Sequence, residues 1–202
     1  MTRTRRATVA MLLVGLAIFS SLYSTQAILP TLVDNMSLSS AEAAMTVSAA
    51  TGALALCVVP ASILSERFGR GRILLISAVA ATGVGLIVPF AQEGWQLIVV
   101  RGLQGALLSG APATAMAWLS EELDGKALPR AMGLYIAGTS VGGLTGRLIP
   151  TGLVEISTWR WALFGSALVS LAFAITSWLL LPTQRNFRPK SIHLKTESRA
   201  LF

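Results

Sequence analysis

The chain has 202 residues, of which 53% are hydrophobic and only 12% charged, whereas a soluble domain carries about a quarter charged residues. A formal net charge of +7 would suit a nucleic-acid partner, but the basic residues lie between apolar blocks rather than along one soluble face, which excludes that reading. The single cysteine, Cys57, sits inside an apolar block, cannot form an intramolecular disulfide and reads as a small core residue.

Six apolar blocks use up most of the chain. Each is close to the roughly 20 residues a helix needs to cross the hydrocarbon core of a bilayer. They show no strand-like alternation, and in lipid every backbone polar group must be paired inside the protein, so the blocks predict helices and not a barrel. The first span is expected over residues 7–30. Arg3, Arg5 and Arg6 before an apolar run would suit a signal peptide. The run instead continues to Pro30 without a small-x-small cleavage site in the right place, and five more spans follow, so it reads as a retained helix. A polar segment over 31–42 leads to the second span, 45–64. A basic loop, 65–72, precedes the third, 73–90, and a tight turn at 91–94 precedes the fourth, 95–119. A charged loop, 120–130, leads to a glycine-rich fifth span, 131–153, and the sixth covers 159–181. Pro182 ends it, and 183–202 is expected to be a basic tail outside the six-helix domain of residues 1–182.

Thirteen of the sixteen Lys and Arg residues fall at the amino terminus, in the second and fourth gaps and in the tail. By the positive-inside rule both termini are cytoplasmic, as an even number of spans requires.

Three segments carry the chemistry. The first is the basic loop with Ser62, Glu66, Arg67, Gly69, Arg70 and Arg72. A small residue lets two helices approach, the glycine makes the turn, and the acid and arginines can make charge-assisted bonds to a neighbouring helix end. The second is Arg101-Gly102-Leu103-Gln104-Gly105. An arginine inside a span costs several kcal/mol on insertion scales and by default marks function. Gln104 and Gly105 share its face at i+3 and i+4, and Ser109 continues the stripe. The third is Gly138, Gly142 and Gly146, one smooth stripe for close helix packing, followed by Arg147 at a depth similar to Arg101. Two cations on one level repel unless an anion lies between them, so the pair is expected to line the outer part of a central cavity. On the first helix, Tyr23 and Gln26 share a face at i+3 and are further cavity candidates.

Ser62 to Arg72 resembles the loop between the second and third helices of the major facilitator superfamily, written G-x-L-x-D-R-x-G-R-K. Leu64, Arg67, Gly69 and Arg70 match. Ser62 replaces the usual Gly, Glu66 the usual Asp, and Gly71-Arg72 the usual basic pair. Arg101 to Gly105 resembles the family's fourth-helix signature R-x-x-Q-G. Tyr23 to Pro30 together with the glycine-rich fifth helix resembles a bacterial sugar- and drug-efflux branch, although the Gly-Pro of the antiporter motif is absent.

The resemblance implies an all-α membrane protein, six helices arranged as a 3+3 inverted repeat, forming one half of the major facilitator fold. It implies efflux of a small solute coupled to protons in a bacterial inner membrane, with the 62–70 loop as a gate and Arg101, Gln104, Arg147, Tyr23 and Gln26 in the pathway. One half has only one wall of such a pathway, so a truncated product, pairing with a second six-helix unit and homodimerisation all stay open. No Asp, Glu or His falls in a predicted span, so proton coupling would have to use Glu66, the outer acids or a second half. Arg101 and Arg147 favour a neutral or anionic solute over a cation. Residue types and spacings give no metal cluster, nucleophile–base pair or phosphate loop, which argues against an enzyme and requires no cofactor. A six-helix assembly or regulatory membrane subunit is the alternative reading.

Overall fold

The computed structural model describes residues 1–185; most of the expected basic tail, 186–202, lies outside the described residues. The described chain is helical, and eight α-helices build six membrane-length segments. The first segment is α1 (Arg3–Tyr23), capped by the Thr2 hydroxyl, followed by a 3-10 turn (Gln26–Ile28) and α2 (Leu29–Met36). Pro30 therefore begins a short helix, where its missing N–H is harmless, and does not end a long one. Part of the expected polar connector is accordingly helical. The second segment is α3 (Ser40–Phe68), whose start is fixed by a capping box: Glu42 N–H donates to Ser39 Oγ at 3.2 Å and Ser39 N–H donates to Glu42 Oε2 at 2.8 Å.

The expected basic loop after α3 shrinks to one residue. Gly69 adopts φ +100°, a conformation that disfavours any side chain, and α4 (Arg70–Gly85) starts at once, continuing into a 3-10 turn at Val88–Phe90. The fourth segment is two helices, α5 (Gly94–Leu108) and α6 (Gly110–Glu122), where a single span was expected. The break has a cause. Pro112 has no N–H to offer Leu108 and its ring crowds that carbonyl, and the Ser77 hydroxyl from α4 donates to the Leu107 carbonyl, so the ladder opens at Ser109. The fifth segment is α7 (Ala127–Ile156) and the sixth α8 (Trp159–Leu180).

Among the described residues, four helical segments, 3–36, 40–68, 70–90 and 159–180, are long and apolar enough to cross a membrane by length and composition. The break at Ser109 shortens both pieces of the fourth segment, and glycine, threonine and Arg147 dilute the apolar character of α7.

The most extensive helix pairings are the first segment on the fifth and the second on the fourth, followed by the third on the fourth and the first on the sixth. Exchanging segments 1, 2, 3 with 4, 5, 6 turns each pairing of these two sets into the other, as an inverted 3+3 repeat requires. Both strong pairings rest on glycine. A Cβ at Gly142 would lie 2.8 Å from the Gly15 carbonyl and one at Gly146 2.5 Å from the Ser20 carbonyl, while one at Gly138 would collide with the Leu12 carbonyl. Gly105 lies in the same way against the Ala50 carbonyl of α3. Backbone approaches of this kind let helices gain packing where lipid offers no hydrophobic drive.

Candidate functional site

The fold gathers the polar residues into three groups. The first is at the basic end of the bundle, where α1, α4 and α7 begin and α3, α6 and α8 end. Arg70 Nε lies 2.6 Å from Glu121 Oε1 in the last turn of α6, and its Nη2 lies 3.7 Å from Glu66. Gln184 donates to the second Glu121 oxygen at 2.8 Å and accepts from the Gly71 N–H at 3.2 Å. Beside it, Arg3 Nη2 contacts Glu122 at 2.6 Å and the Thr183 carbonyl at 2.8 Å, and Arg185 N–H donates to the other Glu122 oxygen at 2.7 Å. Arg6 caps α8 through the Leu179 and Leu180 carbonyls, each at 3.2 Å, which the helix itself cannot satisfy.

The sequence motif brought Glu66, Gly69 and Arg70 to this network. Arg67 turns away, its guanidinium 5.3 Å from the Phe68 ring. Ser62 is only half-buried; the enclosed small residue is Ser65, whose hydroxyl donates to the Ser62 carbonyl at 2.6 Å. Glu121, Glu122 and Gln184 were missed as partners. An acidic pair at the basic end of the fourth span was the available signal.

The second group surrounds Arg101, which is 0% exposed. Its Nη1 donates to the Ser21 carbonyl at 3.0 Å and to Gln104 Oε1 at 2.5 Å, and its Nη2 donates to the Leu22 carbonyl. Gln104 Nε2 donates in turn to Ser21 Oγ at 2.7 Å and to the Ala81 carbonyl at 3.2 Å. The guanidinium thus caps the last turn of α1, where orphan carbonyls and the negative end of the helix dipole meet, and Gln104 ties that cap to α4. Arg101 and Arg147 do not line one cavity wall together in this structure, because Arg101 is enclosed by α1, α3 and α5. Ser109, expected to continue the stripe, bonds back to the Ala106 carbonyl at the helix break at 2.7 Å.

The third group joins Tyr23, Gln26 and Arg147. Arg147 Nε donates to Gln26 Oε1 at 3.0 Å, its Nη1 donates to the Gly143 carbonyl at 3.1 Å, and its guanidinium lies 4.3 Å from the centre of the Tyr23 ring. Arg147 is half-exposed and Gln26 exposed. Gly143 lies beside the Tyr23 ring, where a Cβ would make an ordinary contact at 3.4 Å. The residues found from helical spacing on two separate segments therefore form one open polar surface part-way along α7.

A helical bundle with an inverted repeat, an ion-paired turn between its second and third segments and an intramembrane arginine–glutamine pair can be compared with known proteins. The sequence pattern of the Major Facilitator Superfamily matches residues 11–201. The chain belongs to that superfamily. The inner membrane transport protein YnfM of Escherichia coli strain K12 is 36% identical over 191 residues, which are 95% of this chain and 46% of that protein. An MFS-type transporter of Bacillus subtilis strain 168, YybF, is 33% identical over 190 residues, 94% of this chain and 47% of that one. The chain spans about half the length of these relatives. Among solved structures, a bacterial homologue of the human lysosomal transporter Spinster superposes with a TM-score of 0.72 at 17% identity, covering 99% of this chain and 48% of that one. The fold is thus that of one half of a major facilitator, and the family is one of membrane transporters and not of enzymes.

Proposed function

We propose that this chain forms one wall of a proton-coupled exporter of a small solute in a bacterial inner membrane, with both termini cytoplasmic. The wall is completed by a second six-helix unit or a second copy. The observation that carries the reading is the Arg147–Gln26–Tyr23 surface, a cation, an amide and an aromatic face held together on the two most tightly paired segments and open on one side. A charged residue inside a span is retained for a reason, and this one is accessible where Arg101 is not. Arg101 and Gln104 serve that surface by fixing the carboxyl end of α1, where Tyr23 is the last residue and which leads into the 3-10 turn that carries Gln26. The Arg70–Glu121 and Arg3–Glu122 pairs close the basic end and must part when that end opens. Among the described residues Arg147 makes no ion pair with an acid, which favours a neutral or anionic solute. Proton coupling rests on Glu66, on the acids at the helix ends or on the second unit.

Everted inner-membrane vesicles containing the chain test this. With a proton gradient imposed, accumulation of one of a panel of radiolabelled sugars and aromatic carboxylates should exceed that of vesicles lacking the chain, collapse with an uncoupler and fall with Arg147→Ala. Equal accumulation in vesicles with and without the chain across the panel would sink the proposal.

A further inference from the structure

The side of the bundle turned away from the Tyr23–Gln26–Arg147 surface has a polar feature of its own. Ser21 lies two positions before Tyr23, so the two side chains leave α1 on opposite sides. Gln104 ties the Ser21 side to the Ala81 carbonyl of α4. There α4 buries Leu74, Ser77, Ala78 and Ala81, and it turns Arg72 and Ile76 outward. Beyond Arg72, α4 and its 3-10 continuation hold no charged residue, and neither does α8 beyond Arg160. The large exposed side chains of the two helices include Ile76, Ile87, Ile175, Trp178 and Leu179. An uncharged apolar exterior facing away from the pathway wall is the side that acyl chains solvate. At the basic end the same two helices part into a groove of about 510 Å³, lined by Arg72, Leu75 and Ile76 of α4 and by Trp178, Leu181 and Gln184 at and just after the end of α8, with no carboxylate in its lining. Phe68 belongs to the same lining, and the Arg67 guanidinium lies 5.3 Å from its ring. Among the described residues neither Arg72 nor Arg67 forms an ion pair with an acid.

We propose that this outward groove between α4 and α8 holds an anionic phospholipid, with its headgroup phosphate on Arg72 and an acyl chain along Leu75 and Ile76 beside the Trp178 ring. A guanidinium engages phosphate oxygens through two N–H groups at once, and basic pockets between spans at the positively charged membrane face suit such headgroups. Tryptophan settles at headgroup depth, with its ring toward the chains and its N–H toward the polar layer. Trp178 stands at that depth, in the last turn of α8. A soluble phosphate would use Arg72 and leave the apolar lining bare, which is why the lipid is assigned. The site depends on which side of the bundle faces lipid, not on the solute, the coupling ion or the direction of transport.

Native mass spectrometry of the full chain in detergent, titrated with dioleoyl phosphatidylglycerol or dioleoyl phosphatidylcholine, measures the preference. Arg72→Gln should lower the retention of phosphatidylglycerol relative to phosphatidylcholine roughly fivefold, the scale of one arginine at an anionic surface. Arg72→Lys, which keeps the charge, and Arg130→Gln, at the same end of the bundle on α7, should stay near the wild type. Contact with the chains is read by fluorescence, because lipids dibrominated in their acyl chains quench the tryptophans they touch. The part of the wild-type emission that Trp178→Phe removes should be quenched at a lower concentration of brominated phosphatidylglycerol than of brominated phosphatidylcholine. A preference unchanged by Arg72→Gln, or reduced as far by Arg130→Gln, overturns the site. Trp178 emission that brominated chains leave unquenched overturns it as well. Displacement of bound phosphatidylglycerol by inorganic phosphate overturns the lipid assignment in favour of a soluble anion.

Discussion

Arg70 Nε and Glu121 Oε1 meet at 2.6 Å, joining the glycine turn between the second and third segments to the last turn of the fourth. The same carboxylate takes a hydrogen bond from Gln184, which also holds the Gly71 N–H. The turn, the end of α6 and the chain leaving α8 are thereby locked as one unit. Both ionic side chains are partly exposed, so the pair contributes on the scale of about 1 kcal/mol. Its consequence is conformational more than energetic. Glu121→Arg should lower the melting temperature in detergent by a few degrees, and adding Arg70→Glu should restore part of the loss. A double variant no better than Glu121→Arg alone would show that the contact is incidental. The difference should narrow in high salt, as screening dictates.

Arg101 makes a sharper prediction. It is fully enclosed, and its guanidinium reaches three backbone carbonyls, of Ser21, Leu22 and Thr46, and an amide oxygen at once. Lysine keeps the charge but not the fork and leaves buried acceptors without a donor, at about 1–3 kcal/mol each. Arg101→Lys should therefore be destabilised by several kcal/mol despite conserving charge, with reduced yield of folded protein on size-exclusion chromatography and a lower midpoint in thermal denaturation. A wild-type midpoint would show that charge alone is needed at this position and would return Arg101 to the list of solute contacts.

The fold class was legible because lipid enforces it: an apolar block about 20 residues long has no other way to satisfy its backbone. The positions of Arg101, Gln104 and the glycine stripe followed from helical spacing for the same reason. The break at Ser109 was not legible, because it needs the Ser77 hydroxyl from another helix as well as Pro112. The enclosure of Arg101 was equally invisible. Its partners at Ser21 and Leu22 lie about eighty residues away, and carbonyl groups carry no sequence signal. Tyr23, Gln26 and Arg147 were each identifiable, but only the pairing of α1 with α7 makes them one surface.

That pairing predicts a contrast among glycines. Gly142 and Gly146 press on the α1 backbone, whereas a Cβ at Gly133 on the same helix, or at Gly52 on α3, would meet nothing within 4 Å. Overpacking a tight contact costs about 1–3 kcal/mol, while Gly→Ala in an open helical site stabilises by a few tenths to about 1 kcal/mol. Gly142→Ala and Gly146→Ala should thus lower the thermal midpoint, and Gly133→Ala and Gly52→Ala should hold or raise it. Four equal shifts would mean that α1 and α7 are not closely packed.

Gly71 stands where the superfamily loop usually carries a basic residue, and Trp118 accounts for the departure. A Cβ at position 71 would lie 2.9 Å from Trp118 Nε1, and Trp118 is fully buried in α6, so the ring has nowhere to yield. Restoring the basic residue with Gly71→Lys should therefore destabilise this chain, by about 1–3 kcal/mol for the overpacking alone. The smaller ring of Trp118→Phe removes the nitrogen that the new carbon would strike. Residues in contact couple by roughly 0.5–3 kcal/mol in double-mutant cycles, so Gly71→Ala should be measurably less harmful in the Trp118→Phe background than in the wild type. The cycle is read from thermal midpoints of the four proteins in one detergent. Strict additivity would show that the tryptophan is not what holds position 71 to glycine.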